Sequence, residues 1–113
     1  MSDREWIMED PETGGRKGMK ESQLGFIDPK ALYDLGRVAG FGTQKYDKWN
    51  YLKGYDYSLS FNAAMRHMLQ FWDGEDYDEE SSYLHVLHAA WHMLALASFI
   101  TKEIGNDDRF KAL

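Results

Sequence analysis

The chain has 113 residues, no cysteine and a formal net charge of −6, a size that suits one domain with a modest core. Lack of cysteine excludes disulfides, thiolate zinc sites and cysteine nucleophiles. Net acidity argues against a nucleic-acid polymer or a membrane surface as partner, because both are bound by basic faces.

The start, Met1-Ser2-Asp3-Arg4-Glu5, is followed by no apolar core of the kind a signal peptide needs. The longest apolar run, around Ala89 to Ile100, is interrupted by His92 and Ser98 and is too short to span a bilayer. A cytoplasmic protein is expected. Residues 1–27 lack periodicity and carry Gly14, Gly15, Gly18 and Gly25, which predicts an extended, irregular N-terminal arm. Within it, Arg16, Lys17 and Lys20 alternate with glycine, and glycine lets a backbone approach a phosphate that lysine neutralises.

Asp28-Pro29 predicts a helix start, with Asp as N-cap and Pro at the first position. Ala31, Leu32, Leu35, Val38 and Ala39 recur at helical spacing until Gly40 and Gly42. Residues 43–57 read as a structured loop rich in Lys, Asn and aromatics. There Lys45 is a phosphate contact, aromatics such as Tyr46 and Trp49 offer faces for a base, and Asn50 offers hydrogen bonds to its edge.

Ser58 or Ser60 is the expected cap of a second helix that runs to about Trp72 and is stopped by Gly74. Its apolar positions are Phe61, Ala64, Met65, Met68, Leu69, Phe71 and Trp72, with Trp72 expected in the core. A third helix is expected from Ser81 or Ser82 to about Ile104, with a seam of Leu84, Leu87, Trp91, Leu94 and Ser98. No strand is predicted. The expectation is therefore an all-α fold: a helical domain over 28–105, with 1–27 as an arm and 106–113 as a tail. Such a bundle is thin for its aromatic content, so completion by a second copy is expected, as a homo-oligomer (dimer or tetramer).

All four histidines lie between His67 and His92. They flank the acidic knot Gly74-Glu75-Asp76-Tyr77-Asp78-Glu79-Glu80. His85, His88 and His92 fall within roughly a 60° arc of one helix, beside the apolar seam. If the second helix continued, His67, Phe71 and Glu75 would share a face, and Glu75-x-x-Asp78 would place two carboxylates on one helical turn. Carboxylate and imidazole gathered at a turn form a divalent-metal site, with Glu75, Asp78, His85, His67 and His88 as candidate ligands. Carboxylates favour Mg²⁺ or Mn²⁺, while imidazoles draw toward Mn²⁺, Fe²⁺ or Zn²⁺. H-x-x-H is not the zincin H-E-x-x-H. Asp76 and Glu79 read as solvated.

These residues, in this order, resemble the phage and bacterial family of dATP/dGTP diphosphohydrolase N-terminal domains. The likeness runs from Gly14-Gly15-Arg16-Lys17-Gly18-Met19-Lys20 through Ile27-Asp28-Pro29 and Gly42-Thr43-Gln44-Lys45-Tyr46. It continues through Asn50-Tyr51, Ala64-Met65-Arg66-His67, the acidic knot with Ser81, His85 and Ala90-Trp91-His92. Tyr51 replaces an expected Trp, and Ser82 stands where the family pattern has Gly. The resemblance implies an all-α, MazG-like, metal-dependent and oligomeric pyrophosphohydrolase that cleaves between the α- and β-phosphates. The usual acidic motif of such MazG-like enzymes is a paired E-x-x-E with a following E-x-x-D, and only Glu75-x-x-Asp78 is evident in this chain, with histidines in place of the other pair.

The leading expectation is an enzyme that takes a purine dNTP to dNMP and pyrophosphate with Mg²⁺ or Mn²⁺, acting in a bacterial host cell if phage-encoded. Glu75, Asp78, His85 and His67 are its expected catalytic residues. Arg16, Lys17, Lys20, Lys45, Tyr46, Asn50, Arg66 and His92 are its expected substrate contacts. Two alternatives stand beside it: a non-catalytic phage protein that sequesters a nucleotide immune signal, and an assembly or regulatory factor whose histidines and acids only satisfy a polar core.

Overall fold

In the computed structural model, which describes residues 3–111, a β-hairpin precedes three α-helices. Strands β1 (Glu5–Glu9) and β2 (Arg16–Lys20) pair antiparallel, with Glu5 opposite Lys20 and Glu9 opposite Arg16. The fold is therefore mostly helical but not all-α, and the expected irregular arm is in part a hairpin. Its turn is built by Asp10, whose Oδ1 accepts the amides of Glu12 and Thr13. Gly14 supplies the positive φ of 77° that closes the turn. Both faces of the ribbon are largely exposed. It therefore needs no alternation of polar and apolar residues, which is why the sequence carries no strand signal there.

Helix α1 (Pro29–Gly42) starts as expected, with the Asp28 carboxylate accepting the Lys30 amide. A short 3₁₀ turn at Asn50–Lys53 leads to α2 (Tyr57–Trp72), and α3 (His85–Lys102) follows the acidic loop. Neither serine caps α2 as expected. The flanking residue is Asp56, and the Ser58 amide and hydroxyl both donate to Asp108. The segment after α3 is thus laced to the start of α2: Tyr57 N–H donates to Asn106 O, and Asn106 N–H donates to Tyr55 O. Ser81 and Ser82 do not begin α3 either. The helix opens at His85 after Leu84, with the Asp76 carbonyl accepting the His85 amide.

Helices α2 and α3 form the main pair, with α1 and the 3₁₀ turn packed on α3. Their shared seam is not the leucine stripe expected. Ser60, Ala64 and His67 of α2 are buried together with His85, Ala89, Ala95 and Phe99 of α3. Alanine and serine let the helices approach closely. Of the expected stripe, Leu84, Leu87 and Trp91 are half-buried and Leu94 is 54% exposed, while Trp72, expected in the core, is 84% exposed. Phe61, Met65 and Leu69 continue that outer face of α2. The radius of gyration is 18.5 Å, against roughly 13 Å for a compact chain of this length. No helix among the described residues is long and apolar enough to cross a membrane.

Candidate functional site

Helix α2 ends in a Schellman motif: Glu75 N–H donates to Gln70 O, Gly74 N–H donates to Phe71 O, and Gly74 adopts φ 101°. Glu75 and Asp78 therefore do not share a helical turn. They lie on a loop that closes on itself: Tyr77 bridges Leu84, Asp78 N–H donates to Tyr83 O, and Ser82 N–H donates to Asp78 O. Ser82 takes the left-handed conformation, with φ 66°, so the turn forms although serine replaces glycine. The loop lays its carboxylates over the first turn of α3.

At that end of the seam His67, Asp78 and His85 each offer a ligand atom, all within 4.8 Å of one another. His67 Nδ1 and His85 Nδ1 are 2.8 Å apart. His85 is 1% exposed, and its Nε2 lies 3.2 Å from a Glu75 carboxylate oxygen without a hydrogen bond formed. Glu75 and Asp78 thus approach the histidines from separate points of the loop. His88 is not one of the grouped donors. Its ring stacks on His67 at 4.6 Å and 10°, and its Nε2 pairs with the Ser81 hydroxyl at 2.6 Å. Phe41 of α1 meets the His88 ring edge-on. Asp76 and Glu79 are exposed.

Protonation states suit cation binding. Burial, helped by neighbouring His88, pushes the His67 imidazole down to about 4, so it is neutral at pH 7. Burial also lowers His88. At Asp78 burial works to raise the pKa, but the Ser81 N–H and hydroxyl favour the carboxylate, and the net shift is downward. A neutral His67 imidazole beside an ionised Asp78 carboxylate is the state a metal ion requires of those ligands.

A second polar layer lies deeper between the helices. Tyr55 O–H, Ser60 Oγ and His92 Nδ1 form a chain with steps of 2.6 and 2.9 Å. Burial pushes His92 down to about 4 as well. Beneath this layer Tyr55 and Tyr57 pack on the fully buried Phe99. Tyr55, Ser60 and Ser81 are not among the site residues expected from sequence, where Ser60 and Ser81 are expected only as helix caps or starts. Ser81 was legible as the partner of Asp78 at Asx-turn spacing, and Ser60 as a small polar residue four before Ala64 on the inward face.

The expected substrate contacts divide. Lys45 reaches the acidic loop, 2.6 Å from Glu80, and lies over the Phe41 ring. Asn50 opens the 3₁₀ turn that packs on α3 through Tyr51 and Trp91, and Tyr46 is exposed nearby in sequence. Arg66 is on the outer face of α2, beside Asn62, Met65, Leu69 and Trp72, in a shallow concavity. Arg16, Lys17 and Lys20 are on β2, and no described contact joins them to the histidine cluster.

The family model described as dATP/dGTP diphosphohydrolase, N-terminal, matches residues 11–109. Over 97 residues the chain is 29% identical to a dATP/dGTP diphosphohydrolase of Salmonella phage PMBT28, covering 86% of this chain and 33% of that protein. The chain thus spans about a third of the length of that relative. No solved structure matches. The family match takes in β2, all three helices and the acidic loop together, and the chain belongs to the dATP/dGTP diphosphohydrolase N-terminal family.

Proposed function

We propose that this chain is a metal-dependent nucleoside triphosphate diphosphohydrolase that takes dGTP or dATP to the monophosphate and pyrophosphate. The observation that carries this reading is the grouping of His67, Asp78 and His85 under an acidic loop in a chain of this family. These residues, with Glu75 beside His85, are the ones suited to hold Mg²⁺ or Mn²⁺. A bound divalent ion supplies Lewis acidity at a phosphoryl oxygen and lowers the pKa of water. Lys45, at the rim of the loop, neutralises phosphate charge, with Arg66, Arg16, Lys17 and Lys20 as further cations. Tyr46 and Asn50 receive the purine. His92, neutral and held by Ser60, is a hydrogen-bonding contact. The working unit is a homo-oligomer, which accounts for the outward apolar face of α2.

The test is incubation with nucleoside triphosphates in Mg²⁺, in Mn²⁺ and in EDTA, read by chromatography. Deoxynucleoside monophosphate and pyrophosphate, abolished by EDTA and diminished by Glu75→Ala in a folded protein, are the expected products. Tight nucleotide binding without product in any tube would instead establish the sequestering alternative.

A further inference from the structure

We propose that His67, His85 and Asp78 bind one first-row transition-metal ion, and that Glu75 does not coordinate it but holds His85 from behind. The proposal rests on the reading of this cluster as a metal site and narrows it, replacing a carboxylate-centred Mg²⁺ site by an imidazole-centred one.

The donor set comes first. Two imidazoles and one carboxylate suit Mn²⁺, Fe²⁺, Co²⁺, Ni²⁺ or Zn²⁺, whereas Mg²⁺ is bound through oxygen. Both imidazoles are buried, with His67 8% and His85 1% exposed. A hexahydrated magnesium ion, reluctant to shed water, is poorly served there. The spacing also fits. With metal–nitrogen bonds near 2.1 Å, two nitrogens at a right angle lie about 3.0 Å apart and at a tetrahedral angle about 3.4 Å. The two Nδ1 atoms, in hydrogen-bond contact at 2.8 Å, need only a small separation to reach the right-angle arrangement, which leaves further positions for substrate and water oxygens.

The role of Glu75 follows from the ring of His85. Its Nδ1 faces His67, so only Nε2 faces Glu75, at 3.2 Å. That Nε2 is buried and without a hydrogen-bond partner among the described residues. The Glu75 side chain is 49% exposed, so it has room to turn and accept the Nε2–H. A carboxylate accepting the far N–H of a ligating histidine fixes its tautomer and strengthens it as a ligand. On the opposite side of the ring, Glu75 is out of place as a ligand to an ion at Nδ1. His88, tied to Ser81 and stacked on His67, is a wall of the site.

The test uses the whole chain, stripped with EDTA and titrated with Co²⁺, Mn²⁺ and Mg²⁺ by calorimetry, with the Co²⁺ absorption spectrum as a second readout. One ion per chain is expected, with Co²⁺ and Mn²⁺ bound roughly a hundredfold tighter than Mg²⁺. Glu75→Gln should keep one ion and weaken it about tenfold, while His67→Ala should lose it. Because His67→Ala risks misfolding, the wild-type imidazole ¹⁵N signals offer an independent check. Those of His67 and His85 should shift with Zn²⁺ and stay in place with Mg²⁺. Equal affinity for Mg²⁺, two ions per chain, loss of the ion in Glu75→Gln, or no ion bound would each overturn the proposal. A chain that binds one Co²⁺ yet yields no monophosphate sustains this site and overturns the hydrolase reading.

Discussion

Ser60 Oγ lies 2.9 Å from His92 Nδ1, and Tyr55 O–H stands 2.6 Å away on its other side. A single buried hydroxyl thus serves two partners between α2 and α3. Ser60 is 1% exposed, so no solvent replaces it when it is removed. Ser60→Ala should lower stability by about 1–3 kcal/mol, the cost of a buried polar group left unpaired. Urea denaturation checks this, and Tyr55→Phe should cost less because the hydroxyl of Ser60 keeps His92.

His92 links stability to pH. Burial first, then the neighbouring His88 and Arg66, hold it to about 4, below the ordinary 6.5. Between those values the unfolded chain binds the proton that the folded chain refuses. The stabilising effect is whole above about pH 6.5 and is lost as the pH falls toward 4, with a slope of at most about 1.4 kcal/mol per unit. Part of the ring's environment is solvent, which makes the real slope shallower. His92→Gln should narrow the difference between urea midpoints at neutral and mildly acid pH; an unchanged difference would count against the burial account.

How much of this was legible in the sequence differs from element to element. Asp28-Pro29 is a local signal, because cap and proline act on the same turn, and α1 starts where they say. The hairpin escapes the sequence pattern because its order comes from the Asp10 turn and its strands bury neither face, the apolar run Trp6-Ile7-Met8 of β1 included. A shared arc marks His85, His88 and His92 as inward on α3, but it does not separate His85, which joins His67, from His88 and His92, and the leucine spacing points to a different seam. What decides the seam is the partner helix, since α2 offers Ser60, Ala64 and His67, against which α3 buries His85, Ala89 and Ala95, with Phe99 the one large apolar residue of α3 buried fully. Glu75 and Asp78 were placed on one helical turn because nothing local shows that the chain after Gly74 reverses and pairs Tyr77 with Leu84.

Gly54 and Gly105 touch. A Cβ on Gly54 would lie 2.6 Å from the Gly105 nitrogen, and Gly54 also has φ 87°. Gly54→Ala should destabilise by about 2 kcal/mol or more, through both the clash and the left-handed backbone. Thermal denaturation followed by circular dichroism measures it, with Gly25→Ala, where a Cβ meets nothing within 4 Å, as the control.

Ser82 stands at φ 66°, where a side chain is disfavoured. Ser82→Gly should stabilise the chain by about 0.5 kcal/mol, relief of the left-handed strain outweighing the extra freedom of the unfolded glycine. A urea midpoint that moves downward would show that the Ser82 side chain supports the turn by itself.

Asp108 receives both the amide and the hydroxyl of Ser58, and so caps α2 from fifty residues away. Asp108→Asn should lower the melting temperature and speed amide exchange in the first turn of α2. Exchange near His67, two turns farther on, should be unaffected if the capping is local.

Because Asp76 O meets His85 N and Tyr77 pairs with Leu84, the acidic loop behaves as a cassette clipped between two fixed helix ends. Glu79 projects from its tip and is open to drift under selection for new substrates, whereas Glu80 is paired with Lys45. Length is not open in the same way: one inserted residue between Tyr77 and Leu84 would break the pairing and turn Asp78 away from the imidazoles. Relatives that diverge in substrate should therefore differ here by exchange of side chains, with the span from Gly74 to His85 held constant.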